Sequence, residues 1–477
     1  MRNSKDMSFD AVISRKPEII KDAVGIDYKP YESGSIAFDY EKMMTNIPYT
    51  FEEVTQILLE NGVGNTPILE LRNLSALAKK YAASGYGARI CIKDEAANIS
   101  GSFKARRAAL SVYHAKKHGY EGVVVATSGN YGAAVAAQSA MAGLKCIVVQ
   151  ECYDSKGIGQ PEIIEKARAC EALGAEVIQL TVGPELFYTV LMLLEKTGYF
   201  NASLSIPFSI AGVETLGYEI PFQCKEKFGK DADYIIASNA GGGNLTGTAR
   251  GLLRAGSKAK IAAASVNLTG LHMASDNEFN RKSFTTSHTG FGMPFATYPD
   301  KTDLPRSASR PLRYMDDYFV VAQGEVFYIT EALASLDGLE RGPAGNTALA
   351  AAFSLAKELP EDQLIVVQET EYTGAGKHVQ AQLSFARSNG IEILFGDPAD
   401  EIPGKNIILP KDPSYFKVRT ADLDHMRKSL IRNSMINHNV SVPTEQDIEF
   451  LAEETRTDTD YVRKAIAEIK EKEDFNV

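Results

Sequence analysis

The sequence predicts an α/β protein made of two doubly wound domains, and three observations lead there. Short β-branched runs alternate with helical patterns along most of the 477 residues. The runs lack the in/out alternation of half-exposed strands, as do strands of a parallel sheet covered on both faces. Strand–helix alternation folds into right-handed βαβ units, and a chain this long exceeds one ordinary core.

Taken in order, residues 1–60 are mixed and partly polar and read as an N-terminal arm. The regular core spans 61–390 and opens on "GNTPILEL" at 64–71. A strand at 88–95, "ARICIKDE", leads into "SGSFKARR" and a helix. Strands at 122–128, 145–151 and 175–181 alternate with helices at 130–142, 160–173 and 184–196, giving a smaller domain over about 98–210. Strands at 232–239, 260–268 and 363–370, with helices at 244–254 and 346–358, complete the larger domain. Residues 270–320 are rich in Ser, Thr, Pro, Asp and Arg and read as an insertion; a break of that length is more often a functional or partner loop than slack. From 391 to 477, stretches such as "DYVRKAIAEIKEKED" read as a C-terminal appendage of short charged helices.

Hydrophobic residues at 44% and charged residues at 23% are those of a soluble globular protein. A net charge of -10 argues against nucleic acid or an anionic membrane as the main partner. No apolar run is long enough to span a bilayer, and the start has no apolar core of the signal-peptide kind. Cys91, Cys146, Cys152, Cys170 and Cys224 form no CxxC pair and no Cys/His ligand spacing. They read as free thiols in a cytoplasmic protein without a metal site.

Chemistry is expected at the carboxyl ends of the strands, where open α/β sheets bind ligands. Lys104 starts a helix, where the dipole disfavours a cation by a few tenths to about 1 kcal/mol. Either Lys104, Arg106 and Arg107 face water, or Lys104 is a Schiff-base lysine whose charge is withdrawn on joining an aldehyde. "ATSGNYGAAVA" (126–136) can offer N–H groups and hydroxyls to an anion, and reads equally as a plain N-cap. In "SNAGGGNLTG" (238–247) three glycines carry an entropy cost that a simple turn does not require. They let the backbone approach a phosphate at the next helix's N-terminus. Neither the P-loop Lys-Ser/Thr nor GxGxxG is present, so an NTPase or dinucleotide fold is unsupported. "QETEYTGAGKH" (368–378) alone is a turn.

Together and in this order, these loops resemble fold-type II pyridoxal-phosphate enzymes, of the threonine-synthase-like, tryptophan-synthase-beta-like architecture. "GNTPILEL" and "GPAGNTALAAA" (342–352) add to the likeness, which covers roughly residues 60–390. The resemblance implies pyridoxal 5'-phosphate as cofactor, with Lys104 joined to its aldehyde and Asn130 beside its phenolic oxygen. Ala240, Gly241, Gly242, Gly243 and Asn244 become the phosphate cup. Thr127, Ser128 and Gly129 become the clamp on the substrate carboxylate. Thr373 becomes the hydroxyl partner of the pyridine nitrogen, with Thr370 the weaker candidate. Length, insertion and appendage resemble most a large subunit that transfers acyl groups to coenzyme A with a small partner subunit, itself forming homo-oligomers. His378 and His288 are candidate bases for the thiol. A threonine-synthase-like enzyme of the same fold, performing β- or γ-replacement, would keep every cofactor motif, and a silent ligand-binding relative is the reading from another class.

Overall fold

A computed structural model gives the structure of residues 5–127, 129–268, 278–285, 298–300, 303–372 and 378–472. The strands are β1 (Ile68–Glu70), β2 (Arg89–Asp94), β3 (Gly122–Thr127), β4 (Lys145–Tyr153), β5 (Glu176–Thr181) and β6 (Phe200–Asn201). They continue as β7 (Tyr234–Ser238), β8 (Lys260–Val266), β9 (Asp317–Val321), β10 (Leu364–Glu369), β11 (Glu392–Gly396) and β12 (Asn406–Pro410). One sheet has the order β1-β2-β10-β7-β8-β9 and a second the order β5-β4-β3-β6, while β11 and β12 pair by themselves. Every pairing is parallel except β1 with β2.

The missing alternation in the sequence has a direct cause. All six residues of β10 are buried, and neighbours along the sheet point into different cores. Ile235 and Val366 join one apolar cluster, whereas Ile236, Ile365 and Val367 join another. Side chains alternate across a strand, so the six-stranded sheet separates two cores and has apolar residues on both faces. Helices Pro207–Phe228 and Gly243–Arg254 pack together in the first cluster; Gln323–Asp337 and Pro343–Ala356 pack together in the second.

All seven strands read from the sequence are present, as are the five helices, to within a few residues. The sequence pattern does not announce helices Pro207–Phe228 and Gln323–Asp337, nor the β11–β12 pair that precedes the C-terminal helices. Among the described residues the N-terminal arm contains four α-helices, of which Phe51–Glu60 carries a capping box between Thr50 and Glu53. Within the polar stretch 270–320, residues 303–316 lie largely inside, with Leu304, Ala308, Leu312 and Met315 buried. Helices Leu423–Asn437, Glu445–Thr455 and Thr459–Lys472 end the chain. Residues 419–421 run along β9 and cover that sheet edge. Among the described residues no helix is long and apolar enough to cross a membrane, and all five cysteines are buried free thiols.

Candidate active site

In the six-stranded sheet β10 lies between β2 and β7, so the carboxyl ends of β2, β10 and β7 stand side by side. Three of the loops singled out in the sequence leave from those ends, and the fourth leaves from β3.

After β2 the chain turns tightly, with Ser100 at φ 69° and Gly101 at φ 68°. Left-handed serine costs on the order of 1 kcal/mol and needs support from its surroundings. The "GNTP" segment supplies it. Gly64 N–H donates to Asn98 Oδ1 at 2.9 Å, and the Thr66 hydroxyl donates to Glu95 Oε1 at 2.6 Å. Glu95 pairs with Arg106 at 2.7 Å, and Arg106 also pairs with Glu219 at 2.7 Å. Lys93 reaches Glu219 at 2.6 Å. Two cations and two carboxylates thus balance, with Lys93, Glu95 and Arg106 fully buried. Burial would raise the Glu219 carboxyl, but Arg106 and Lys93 outweigh it and hold it at about 2.

On this base helix Lys104–Lys117 begins. Lys104 Nζ lies 3.4 Å from Glu371 Oε2 in the loop after β10. Asn130, first residue of helix Asn130–Ala142, donates its side-chain amide to the same oxygen. Backbone bonds lock the two loops together: Phe103 N–H to Thr370 O at 3.0 Å, and Tyr372 N–H to Gly101 O at 2.8 Å. Lys104, Asn130 and Glu371 therefore converge from β2, β3 and β10.

The Thr127 hydroxyl accepts from the N–H groups of Gly129 (2.9 Å) and Gly132 (3.0 Å), and so braces the turn into that helix. Ser128 lies outside the described residues. The glycine loop follows β7. Gly242 is left-handed at φ 78°, and Gly243 starts the helix that ends at Arg254. A Cβ on Gly242 would overlap Pro311. Asn244 Oδ1 accepts from Gln368 Nε2 at 2.6 Å, which ties the loop to β10. Ala240 and Gly241 precede, half-buried.

Thr370 is buried, with its carbonyl used by Phe103; Thr373 lies outside the described residues. Of the candidate thiol bases, His378 is exposed and pairs with Glu340 at 2.7 Å, and His288 lies outside the described residues. Glu371 was not singled out from the sequence. Its signal was faint: two glutamates at alternate positions, 369 and 371, where an apolar strand ends. Glu369 is wholly buried, and burial pushes its carboxyl well above the usual range, with Asp94 adding to the effect. Arg106 and Arg107 do not face water, being fully and almost fully buried.

An amine beside a carboxylate, next to a glycine-lined helix N-terminus, suits a phosphorylated aldehyde. The buried Ser102 Oγ and Asn239 Oδ1 have no hydrogen-bond partner among the described residues, and both stand beside these loops. The residues present fit such a group.

The family model described as "Pyridoxal-phosphate dependent enzyme" matches residues 59–371. A 2-amino-4-ketopentanoate thiolase beta subunit from Acetoanaerobium sticklandii is 68% identical, over 98% of this chain and 100% of its own. Another protein of that name, from an unknown prokaryotic organism, is 62% identical over 98% of this chain and 99% of its own. Among solved structures, a mutant O-ureido-L-serine synthase bound to O-ureido-L-serine superposes with a TM-score of 0.52. It is 22% identical, over 69% of this chain and 93% of that one, a likeness of fold.

Proposed function

The chain belongs to the family of pyridoxal-phosphate dependent enzymes, and on that premise we propose that it is the large subunit of a two-subunit thiolase. The substrate is 2-amino-4-oxopentanoate (2-amino-4-ketopentanoate), cleaved with coenzyme A to D-alanine and acetyl-CoA in cytoplasmic ornithine breakdown. The observation that carries this reading is the end-to-end likeness to two thiolase beta subunits. The word "subunit" in those names supports a small partner chain. The tight interlocking of the loops after β2, β3, β7 and β10 supports a single cofactor site.

Bound pyridoxal 5'-phosphate supplies an aldehyde that takes up the substrate amine and a ring that withdraws electrons from its Cα. Lys104 would hold the aldehyde, and its free amine would be the group that moves the Cα proton. Glu371, within 3.4 Å of its nitrogen, keeps that amine aimed. Ala240, Gly241, Gly242, Gly243 and Asn244 would hold the phosphate at the helix N-terminus. Thr127, Ser128 and Gly129 are the clamp on the substrate carboxylate, with the Thr127 hydroxyl bracing the turn through the Gly129 and Gly132 N–H groups. By the family resemblance Thr373 would be the hydroxyl partner of the pyridine nitrogen, with Thr370 the weaker candidate. The coenzyme A sulfur bonds to C4 and loses its proton, the C3–C4 bond breaks, and a proton at C3 completes alanine.

The test is condensation of D-alanine with acetyl-CoA by this chain, alone and with its small subunit. Free coenzyme A release that requires D-alanine, and is much larger with the partner, is the expected result. Conversion of O-phosphohomoserine to threonine by the chain alone, or replacement of a serine β-substituent, would overturn the thiolase assignment and leave the cofactor assignment standing.

A further inference from the structure

Arg107 is a buried cation whose own surroundings do not explain it. It is 5% exposed. Its Nε has no hydrogen-bond partner among the described residues, and Nη1 reaches only as far as the Leu204 carbonyl, at 3.4 Å. No carboxylate stands within ion-pair distance of it among the described residues, whereas Arg106 next to it has two. Burying an uncompensated charge is expensive, and proteins rarely retain one without a counter-ion. Burial pushes this guanidinium down to about 10.

The fork is aimed at one place. Nη2 lies 2.8 Å from where a Cβ on Gly243 would stand, with Ser309 Oγ at 2.6 Å from the same point. Leu204, whose carbonyl meets Nη1, also provides the nearest atom to a Cβ on Gly241, at 3.8 Å. The Phe103 ring supports the guanidinium at 5.1 Å. Arg107 thus lies along the glycine loop where helix Gly243–Arg254 begins, and any side chain at Gly243 would displace it. A guanidinium offers paired donors with a geometry that matches phosphate oxygens.

We propose that Arg107 is a phosphate ligand, its guanidinium closing the 241–243 loop and neutralising the phosphate monoester of the cofactor. This deepens the cofactor reading given above and rests on it. The charge is stored in the apo protein at a cost to stability, which the phosphate removes on binding. Lys104 and Arg107, three residues apart, lie on one side of their helix, so one element holds the cofactor at both its aldehyde and its phosphate.

The experiment uses full-length wild type, Arg107→Gln and Arg107→Lys, stripped of cofactor and titrated with pyridoxal phosphate and with pyridoxal, which has no phosphate. Arg107→Gln should raise the pyridoxal phosphate Kd on the order of 10- to 100-fold, the effect of losing a charged hydrogen bond. The pyridoxal Kd should stay unchanged, and Arg107→Lys should recover part of the loss. Inorganic phosphate should raise the melting temperature of the wild-type apo protein and not that of Arg107→Gln. Without ligand, Arg107→Gln should melt no lower than wild type, because it removes an uncompensated charge. A pyridoxal phosphate Kd unchanged in Arg107→Gln, equal losses for both ligands, or an apo Arg107→Gln protein that melts lower or fails to fold would each overturn the proposal. A raised KM for the amino acid at unchanged cofactor affinity would do the same, assigning Arg107 to the substrate carboxylate. Wild type that binds no pyridoxal phosphate would instead remove the cofactor reading beneath it.

Discussion

At the residue scale, Lys104 was visible as a candidate because a lysine opening a helix runs against the dipole and sits in a small-residue turn. Glu371 was not, because what distinguishes it is a neighbour 267 positions away. Both lead to predictions. Lys104→Ala should lose turnover on the order of 10⁴-fold, as removal of a reacting group does, yet keep weak cofactor binding through the 240–244 loop. Borohydride should fix the cofactor to the Lys104 peptide in wild type, and a label on another lysine would contradict the assignment. Glu371→Gln keeps the shape and the Asn130 contact but removes the charge that steadies the Lys104 amine. Turnover should fall on the order of 10²-fold, the scale of a small misplacement, with cofactor content unchanged. Glu371→Asp should restore part of it; equal rates in all three proteins would show that the carboxylate has no part in aiming the lysine.

At the element scale, strands showed themselves through apolar runs with no alternation, since β7 and β10 are covered on both faces. Helix Pro207–Phe228 stayed hidden because Gly212, Gly217 and Pro221 read as breakers. The glycines belong there for packing. A Cβ on Gly217 would overlap the Thr248 carbonyl, one on Gly251 the Glu214 carbonyl, and one on Gly212 the Arg106 carbonyl. Three helices thus meet backbone to backbone. Gly217→Ala should gain about 1 kcal/mol in helix propensity and lose more than that, since the obstacle is a backbone that cannot step aside and overpacking costs about 1–3 kcal/mol. Its denaturation midpoint should therefore fall, with turnover per folded molecule retained. Gly212→Ala presses on the helix that carries Lys104, so it should lower both midpoint and turnover. A Gly212→Ala protein with full turnover would show that the contact does not position the lysine.

At the scale of the whole molecule, distant segments are joined by buried polar contacts that no local pattern could announce. Asp447 accepts the N–H groups of Ile36 (2.6 Å) and Ala37 (2.8 Å). Arg310 pairs with Asp300 at 2.8 Å and with Glu454 at 3.0 Å. The N-terminal arm, residues 303–316 and the last helices are in this way fastened to one another, although their sequence reads as polar and loosely patterned. The Lys93–Glu95–Arg106–Glu219 cluster does the same beneath the active site, and it makes stability depend on pH. Glu219 is held at about 2 in the folded protein, below the value near 4.3 of a free glutamate. A depressed carboxyl stabilises the fold fully above its unfolded value, and that contribution is lost as pH falls through its folded value. Wild type should thus lose about 3 kcal/mol from this group as pH falls from about 5 to about 1. Glu219→Gln should be destabilised already at pH 7 by about 3–5 kcal/mol, because Arg106 and Lys93 keep only Glu95. Its further loss on acidification should be smaller than that of wild type, by up to one proton's worth of slope, since all other carboxylates are common to both proteins. Urea unfolding at pH 7, 4.5 and 3 measures this difference. Parallel curves for the two proteins would mean that Glu219 titrates alike in folded and unfolded chains, and that the cluster does not hold its charge.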